Sequence, residues 1–175
     1  MFLTIRPTNY PITKSGVQDN ETTKKPEISE LPRVGRFVAL DPGTKRIGVA
    51  VCDETQTVCR PVKTIQRTSW KNTVENVKQL LAEYDARALI IGLPYNFDGS
   101  ESEMTESARD MAAKLEMSVG IPVFLQDERA TSFEARGRLW AQGKTTRETR
   151  HVDAEAAAVI LEDFLDRHRS ILRHE

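Results

Sequence analysis

Apolar and polar positions follow two rhythms along the chain, and these rhythms predict its secondary structure. Short apolar runs at 37–41, 47–52 and 58–65 are separated by turns of a few residues, which predicts three strands in an antiparallel meander. After them, helical spacing alternates with two more apolar runs, 88–93 and 123–126. The predicted order is β-β-β-α-β-α-β-α-α. It indicates an α/β fold in three layers, with a mixed five-stranded sheet flanked by helices.

Apolar residues that recur every three or four positions mark the predicted helices. The first helix has an apolar face made of Trp70, Val74, Val77, Leu81 and Tyr84. The second has one made of Met104, Ala108, Met111 and Leu115. A third helix is predicted from Thr131 or Ser132 to Gln142. The last is predicted to open at Asp153 and to bury Ala157, Ile160, Leu161, Phe164 and Leu165.

Residues 1–34 keep neither rhythm. They hold half of the 8 prolines and a long polar run, so we expect a disordered or loosely packed N-terminal tail. Residues 35–170 are expected to form one domain, because 175 residues leave little room for two.

Composition narrows the class of protein. Hydrophobic residues make up 39% of the chain and charged residues 29%, as is typical of a globular protein. No apolar run is long enough to cross a bilayer and no secretory signal is evident, so we expect a cytoplasmic protein without membrane contact. We therefore interpret Cys52 and Cys59 as reduced, buried residues. The net charge of −1 means that any affinity for nucleic acid must come from local basic clusters.

Carboxylates stand where an α/β sheet usually carries its chemistry. Asp41 ends the first predicted strand, the pair Asp127-Glu128 ends the fifth, and Asp153 lies in the first turn of the last helix. Each acid alone is equally typical of a turn or of a helix start. Together they suit Mg²⁺ or Mn²⁺, which bind oxygen ligands and, in pairs, promote phosphodiester cleavage.

Histidine is not needed for this chemistry. His151, His168 and His174 show no zinc-like spacing, and we expect them to be mostly solvated.

Polar and basic residues near these acids are candidates for substrate binding. Lys45 and Arg46 lie in the predicted turn after Asp41, where they would either hold a phosphate or simply be solvated. Gly43 and Gly48 indicate a tight turn and a close backbone approach. Arg129 would lock the geometry of the neighbouring carboxylates or clamp a phosphate.

Two further segments join this set. Asn96 and Ser100 occupy a loop at a strand end, where they would contact sugar or phosphate, although Ser100 is also a possible helix cap. Arg147 and Arg150 lie in a basic link before the last helix, which is either a solvated loop or a contact with a nucleic-acid backbone.

Four motifs in this order strongly resemble those of the YqgF/RuvX family. They are LDPGTKRIGVAV at 40–51, IGLP at 91–94 with DGS at 98–100, DERATS at 127–132 and DAEAA at 153–157. The resemblance covers about residues 36 to 167, with Ala130 where the family usually has Leu and Cys52 where Ser is common.

The resemblance implies an RNase H-like fold, similar to that of Holliday-junction resolvases. It also implies a candidate nuclease that trims the 5′ end of precursor small-subunit (16S) ribosomal RNA in bacteria, on the free RNA or on pre-ribosomes. Asp41, Asp127, Glu128 and Asp153 would then be catalytic, with Asp41, Asp127 and Asp153 as metal ligands and Glu128 in support.

Other functions stay open at this point. A resolvase-like endonuclease for branched DNA would act as a dimer, whereas the sequence suggests a monomer or a weak homodimer. A non-catalytic RNA-binding factor in ribosome assembly would keep the fold without the chemistry. The run Asp41-Pro42-Gly43-Thr44 also opens actin-like sugar kinases and ATPases, but those enzymes need two such domains to enclose a nucleotide.

Overall fold

The computed structural model describes residues 27–96, 98–127 and 146–173 as five strands and three long helices, preceded by a single 3₁₀ turn. Their bounds are Phe37–Pro42 for β1, Arg46–Cys52 for β2, Cys59–Gln66 for β3, Trp70–Glu83 for α1, Ala88–Leu93 for β4, Glu103–Glu116 for α2, Val123–Asp127 for β5 and Thr146–Arg173 for α3. The helix predicted between 131 and 142 lies outside the described residues.

The five strands form one mixed sheet in the order β3-β2-β1-β4-β5. The first three strands are an antiparallel meander, as the short connections predicted. Strands β4 and β5 then add in parallel on the other side of β1. This is the strand order of the RNase H-like fold, so the predicted fold class is confirmed.

Alternation along β1 divides the core between the two faces of the sheet. Val38 and Leu40 pack in one apolar cluster with residues of α1 and α2. Phe37 and Ala39 pack in a second cluster with residues of α3. Because successive strand residues point to opposite faces, every later residue of a strand can be assigned to one of these two sides.

Helix α3 begins earlier than the sequence predicted. We expected it to open at Asp153, but it begins at Thr146, so Asp153 lies in its interior and not in its first turn. The polar run 146–151 has no Gly or Pro and is rich in residues that favour helices, but it has no apolar face to mark it in the sequence. A favourable effect of the helix dipole on Asp153 is therefore not part of the site.

His168 corrects another expectation. We predicted a solvated side chain, but His168 is fully buried, and its ring lies 6.0 Å from the ring of Phe37. Its position three residues after Leu165 puts it on the buried stripe of α3. Burial lowers its pKa below the usual value, while the nearby Leu31 carbonyl opposes that shift. Leu31 is itself buried, so this part of the predicted tail packs on the domain.

Two aromatic or apolar side chains are less buried than the helical spacing predicted. Trp70 at the start of α1 is 39% exposed and Met104 at the start of α2 is 38% exposed.

No helix among residues 27–96, 98–127 and 146–173 has the length and apolarity to cross a membrane.

The two cysteines lie opposite each other, and both thiols are free in the structure. Burial raises the pKa of Cys52, and it raises the pKa of Cys59 to about 12. These raised pKa values keep both thiols protonated at pH 8. Because only the thiolate reacts, we expect alkylation of the native protein to be much slower than that of a free cysteine. Mass spectrometry after a timed exposure to iodoacetamide would measure this, with the guanidinium-unfolded chain as the fast-reacting control. Equal rates in the two states would contradict the burial.

Candidate functional site

Asp41 lies near the end of the central strand with a glycine on each neighbouring strand. It pairs with Gly48 on β2. The parallel register matches Leu40 with Ile91, which sets Asp41 level with Gly92 on β4. Alternation from Ala39 directs Asp41 to the α3 face. Because glycine has no side chain, neither β2 nor β4 places a side chain beside this half-buried carboxylate at the level of Asp41.

Helix α3 brings Asp153 to the same place by close contact with β2. A Cβ atom on Gly48 would lie 1.8 Å from the backbone carbonyl oxygen of Asp153, so only glycine permits this approach. The close approach predicted for Gly48 therefore has its partner in α3. Asp41 and Asp153, 112 positions apart by their numbers, meet around this one glycine.

Arg46 holds the carboxylate of Asp153. Its Nε donates to Oδ2 of Asp153 at 2.7 Å, and both side chains are partly exposed. Arg46 is the first residue of β2 and not a turn residue, which directs its guanidinium toward α3. A predicted binding residue and a predicted metal ligand are thus direct neighbours.

Gln126 is a polar residue that the sequence analysis did not single out. It is 4% exposed, and among the described residues its Oε1 has no hydrogen-bond partner. Its register partner is Gly92, and alternation from Phe124 directs it to the α3 face. Gln126 and Asp41 therefore face the same space across Gly92. A buried polar residue two positions after a core phenylalanine was the available signal.

Two observations bear on Asp127 in opposite ways. Strict alternation from Val123 turns Asp127 toward α1 and α2. Burial lowers the pKa of Arg167 on α3, and the charge of Asp127 opposes that shift, so the two lie within electrostatic reach. Electrostatic effects extend over several ångströms, whereas packing fixes direction. The interaction with Arg167 is therefore compatible with an Asp127 side chain that points toward α1 and α2.

The donor chemistry around Asp41 fits a hard divalent cation. Carboxylate and amide oxygens are the ligands that Mg²⁺ and Mn²⁺ prefer, and Gln126 Oε1 is a buried oxygen without a partner among the described residues. In that same part of the chain, no three His, Cys, Asp or Glu residues stand close enough together to hold a metal. Asp41, Asp127 and Asp153 thus do not form a group of three. Glu128 and Arg129 lie outside the described residues.

Arg67, the residue that directly follows β3, closes the turn after Asp41. Nη1 of Arg67 donates to the Gly43 carbonyl at 2.7 Å, and the backbone N–H of Arg67 donates to the Lys45 carbonyl at 3.0 Å. Lys45 itself is exposed at the tip. The sequence analysis missed Arg67, because no local pattern links it to a turn 24 residues away.

The predicted binding loop after β4 is bonded to itself. Nδ2 of Asn96 donates to Oγ of Ser100 at 2.9 Å, and Oδ1 of Asp98 accepts from the Ser100 backbone N–H at 2.9 Å. The bonds from Ser100 lower the pKa of Asp98. Ser102, and not Ser100, caps α2 by accepting from Thr105. Asn96 and Ser100 therefore shape an exposed loop at the edge of the sheet where Asp41 lies. The side chains of Arg147 and Arg150 are not among those described.

The family profile and the sequence relatives indicate one family. The family profile described as "RuvX: Holliday junction resolvase" matches residues 35–167. A protein of Anaeromyxobacter sp. (strain K), named as a candidate pre-16S rRNA nuclease, is 44% identical over 133 residues, which cover 75% of this chain and 97% of that protein. A protein of Gloeothece citriformis with the same name is 38% identical over 135 residues, covering 77% and 89%. Among solved structures, RuvC of Thermus thermophilus in complex with a Holliday junction substrate has a TM-score of 0.48 at 16% identity, covering 76% of this chain and 95% of that one.

Proposed function

The chain belongs to the RuvX Holliday junction resolvase family, and from this premise we propose that it is a nuclease that hydrolyses phosphodiester bonds in precursor 16S ribosomal RNA. The observation that carries the proposal is the convergence of three oxygen-bearing side chains on the α3 face of the sheet: Asp41, Asp153, which α3 brings against Gly48, and Gln126, whose register partner is Gly92. The carboxyl end of parallel strands, where Asp41 and Gln126 lie, is where α/β proteins bind charged substrates.

We propose that Asp41, Asp153 and one acid of the pair Asp127-Glu128 hold Mg²⁺ or Mn²⁺. Alternation along β5 turns Asp127 toward α1 and α2 and so away from the face of Asp41, which is why we propose the other acid of the pair, Glu128, for this third place. When bound, such a cation supplies Lewis-acid stabilisation of the charge that develops on the phosphate oxygens.

The remaining residues position this site and the substrate. Arg46 keeps the Asp153 carboxylate oriented through its hydrogen bond of 2.7 Å. Gln126 presents a buried amide oxygen on the same face as Asp41. This oxygen limits the positions that the Asp41 carboxylate and the substrate phosphate can take. Exposed Lys45 offers a cation at the tip of the turn that Arg67 closes, where an RNA phosphate can be held. In this role Arg129 would clamp a phosphate or the acid beside it.

Cleavage of a DNA four-way junction is the second candidate, because the family profile carries that description. Resolution of a junction needs two symmetric cuts and hence two sites, so it predicts a dimer on the substrate. Trimming of an RNA end needs one site and is compatible with a monomer. A non-catalytic role in ribosome assembly would leave both substrates intact.

A cleavage assay on labelled precursor 16S RNA and on a labelled four-way junction tests the proposal. Each substrate is incubated with purified protein in Mg²⁺, Mn²⁺ or EDTA, beside the variants Glu128→Gln and Asp127→Asn. We expect RNA cleavage that needs the cation and that Glu128→Gln reduces far more than Asp127→Asn. Junction cleavage alone would establish the second candidate, and no cleavage of either substrate would favour the assembly factor.

The start of α3 carries a further prediction about RNA binding. Replacing Arg147 and Arg150 by Gln removes two positive charges from the first turns of α3. If both contact phosphates, binding weakens and the slope of log Kd against log salt becomes shallower by about 1.4, since each contact with a single strand contributes about 0.7. Filter binding over a salt series measures the slope. Two exposed arginines far from this end, Arg87 and Arg173, provide the matched control, and an unchanged slope for Arg147 and Arg150 would rule out the contact.

A further inference from the structure

A cavity lies beside the Asp41 turn, on the face of the sheet opposite α3. It encloses about 560 Å³ between the β1–β2 turn and the first turns of α1 and α2. That volume lies in the range of pockets that bind small molecules or parts of larger ones. Its wall includes Gly43, Thr44, Arg67, Trp70, Met104 and Lys114. Neither the proposed metal site nor the predicted binding residues account for it.

Exposed apolar surface in this region is concentrated in the cavity. Trp70 and Met104 are 39% and 38% exposed, and both line the wall although each occupies the apolar stripe of its helix. The ammonium of Lys114 lies 5.7 Å from the centre of the Trp70 ring and 2.6 Å from Oδ2 of Asp110. An indole held at the wall of an open cavity presents a flat surface on which another ring can stack.

The position of the cavity connects it with the proposed cleavage site. Its wall contains Pro42, Gly43 and Thr44, which directly follow Asp41 in the chain. Arg67 closes this turn with a single side-chain hydrogen bond to Gly43 among the described residues, so its guanidinium has further donors to offer. The Asp41 carboxylate and the cavity lie on opposite faces of the sheet, at the end where β1 stops. An RNA strand bound at Asp41 can therefore place one nucleotide around this end of the sheet and into the cavity.

The chemistry of the wall selects among possible occupants. The wall combines the indole of Trp70 and two thioethers with the carboxylates of Glu103 and Asp110, several hydroxyls and two cations. An apolar helix of a partner protein would leave these polar groups unpaired, which is costly. A nucleobase suits both parts, because its faces are aromatic and its edge carries hydrogen-bond donors and acceptors.

We propose that this cavity binds one unpaired base of the RNA strand, stacked against Trp70, with Arg67 contacting the adjacent backbone. The proposal rests on the proposed function, since it assigns the RNA a second point of attachment beside the cleavage site. Holding one base outside a duplex restricts the enzyme to single-stranded or unpaired segments. The cavity is then a determinant of specificity and does not take part in bond breaking.

The test measures binding in EDTA, so it does not depend on cleavage. The probes are a short oligouridylate and the same oligomer with its bases replaced by abasic ribose, each carrying a terminal fluorescent label whose anisotropy gives the Kd for every variant. Quenching of Trp70 is followed separately in a Trp140→Phe background. We expect Trp70→Ala to weaken binding of the oligouridylate about tenfold, because stacking on one aromatic ring contributes about 1–3 kcal/mol. Abasic oligomers should bind wild type and Trp70→Ala equally, and Trp70→Phe should retain most of the affinity.

Matched variants separate the possible outcomes. Met117→Ala, at a residue 81% exposed after the end of α2, should bind like wild type. The proposal is overturned if Trp70→Ala leaves the Kd for oligouridylate unchanged, or weakens the abasic oligomer equally. It is also overturned if uridine monophosphate binds as tightly as the oligomer, because the cavity would then hold a free nucleotide. Trp70-dependent binding without any cleavage would rule out the proposed function and support this inference. Cleavage together with binding that does not depend on Trp70 would support the proposed function and rule out this inference.

Discussion

Asp41→Asn is expected to lower metal-dependent cleavage of precursor 16S RNA by about a thousandfold or more, with little change in stability. The substitution keeps the size of the side chain and removes its negative charge. A carboxylate ligand contributes several kcal/mol to a divalent metal site that stabilises a phosphoryl transition state, and each 1.4 kcal/mol is a factor of ten in rate. Neither β2 nor β4 contains an Asp or a Glu, so no other acid on the strands beside Asp41 can replace it.

The measurement is single-turnover cleavage with Mg²⁺ or Mn²⁺, beside a thermal unfolding curve for each protein. Asp85→Asn is the matched control, because Asp85 is 74% exposed and has φ of 47°, a conformation that asparagine tolerates. It should cleave like wild type. A residual rate for Asp41→Asn within tenfold of wild type would mean that Asp41 is not a metal ligand. A large fall in melting temperature would assign it a structural role.

Much of this fold could be predicted from the sequence because its core is written in local periodicity. The continuous apolar runs in β1 and β4 indicate strands covered on both faces, and the structure confirms the predicted mixed five-stranded sheet. The start of α3 could not be predicted in this way. A helix shows itself in sequence through its apolar face, and the first six residues of α3 contribute none.

The parts of the site that escaped prediction depend on contacts between distant residues. Arg67 closes the turn at Gly43 from the segment that follows β3, and Gln126 faces Asp41 only because Gly92 lies between them. Periodicity assigns a residue to a face, but the register between strands decides which residues of that face are neighbours. The prediction that His168 is solvated was wrong for a related reason, because the burial of His168 depends on Phe37 and on the packed Leu31.

The register also changes how the acid pair is interpreted. From sequence alone, Asp127 and Glu128 were equally near the end of β5, and Asp127 was the expected ligand. Once Val123 is seen to pack with α1 and α2, alternation turns Asp127 to that side of the sheet. The direction of Asp127 thus follows from a buried residue four positions earlier, and it is the reason that we propose Glu128 as the ligand.

Gly48→Ala is expected to reduce both stability and cleavage, because one methyl group would separate β2 from α3 at Asp153. The added Cβ would lie 1.8 Å from the Asp153 carbonyl oxygen and 2.4 Å from its carbonyl carbon, and both are backbone atoms that cannot rotate away. Overpacking of this kind costs about 1–3 kcal/mol, which for a domain of this size lowers the melting temperature by several degrees. If α3 instead moves by about 1 Å, the misplaced Asp153 carboxylate costs about a hundredfold in rate.

Gly120→Ala distinguishes this steric effect from the general effect of replacing glycine. Apart from its two chain neighbours, no atom of the described residues lies within 4 Å of a Cβ at Gly120, so alanine there should leave cleavage unchanged and raise stability slightly by restricting the unfolded chain. Thermal unfolding and single-turnover cleavage of both variants measure the difference. If Gly48→Ala behaves like Gly120→Ala, then α3 does not lie against β2, and Asp153 cannot share a site with Asp41. If it unfolds earlier and cleaves slowly while Gly120→Ala does neither, the position of Asp153 depends on the absence of one methyl group in β2.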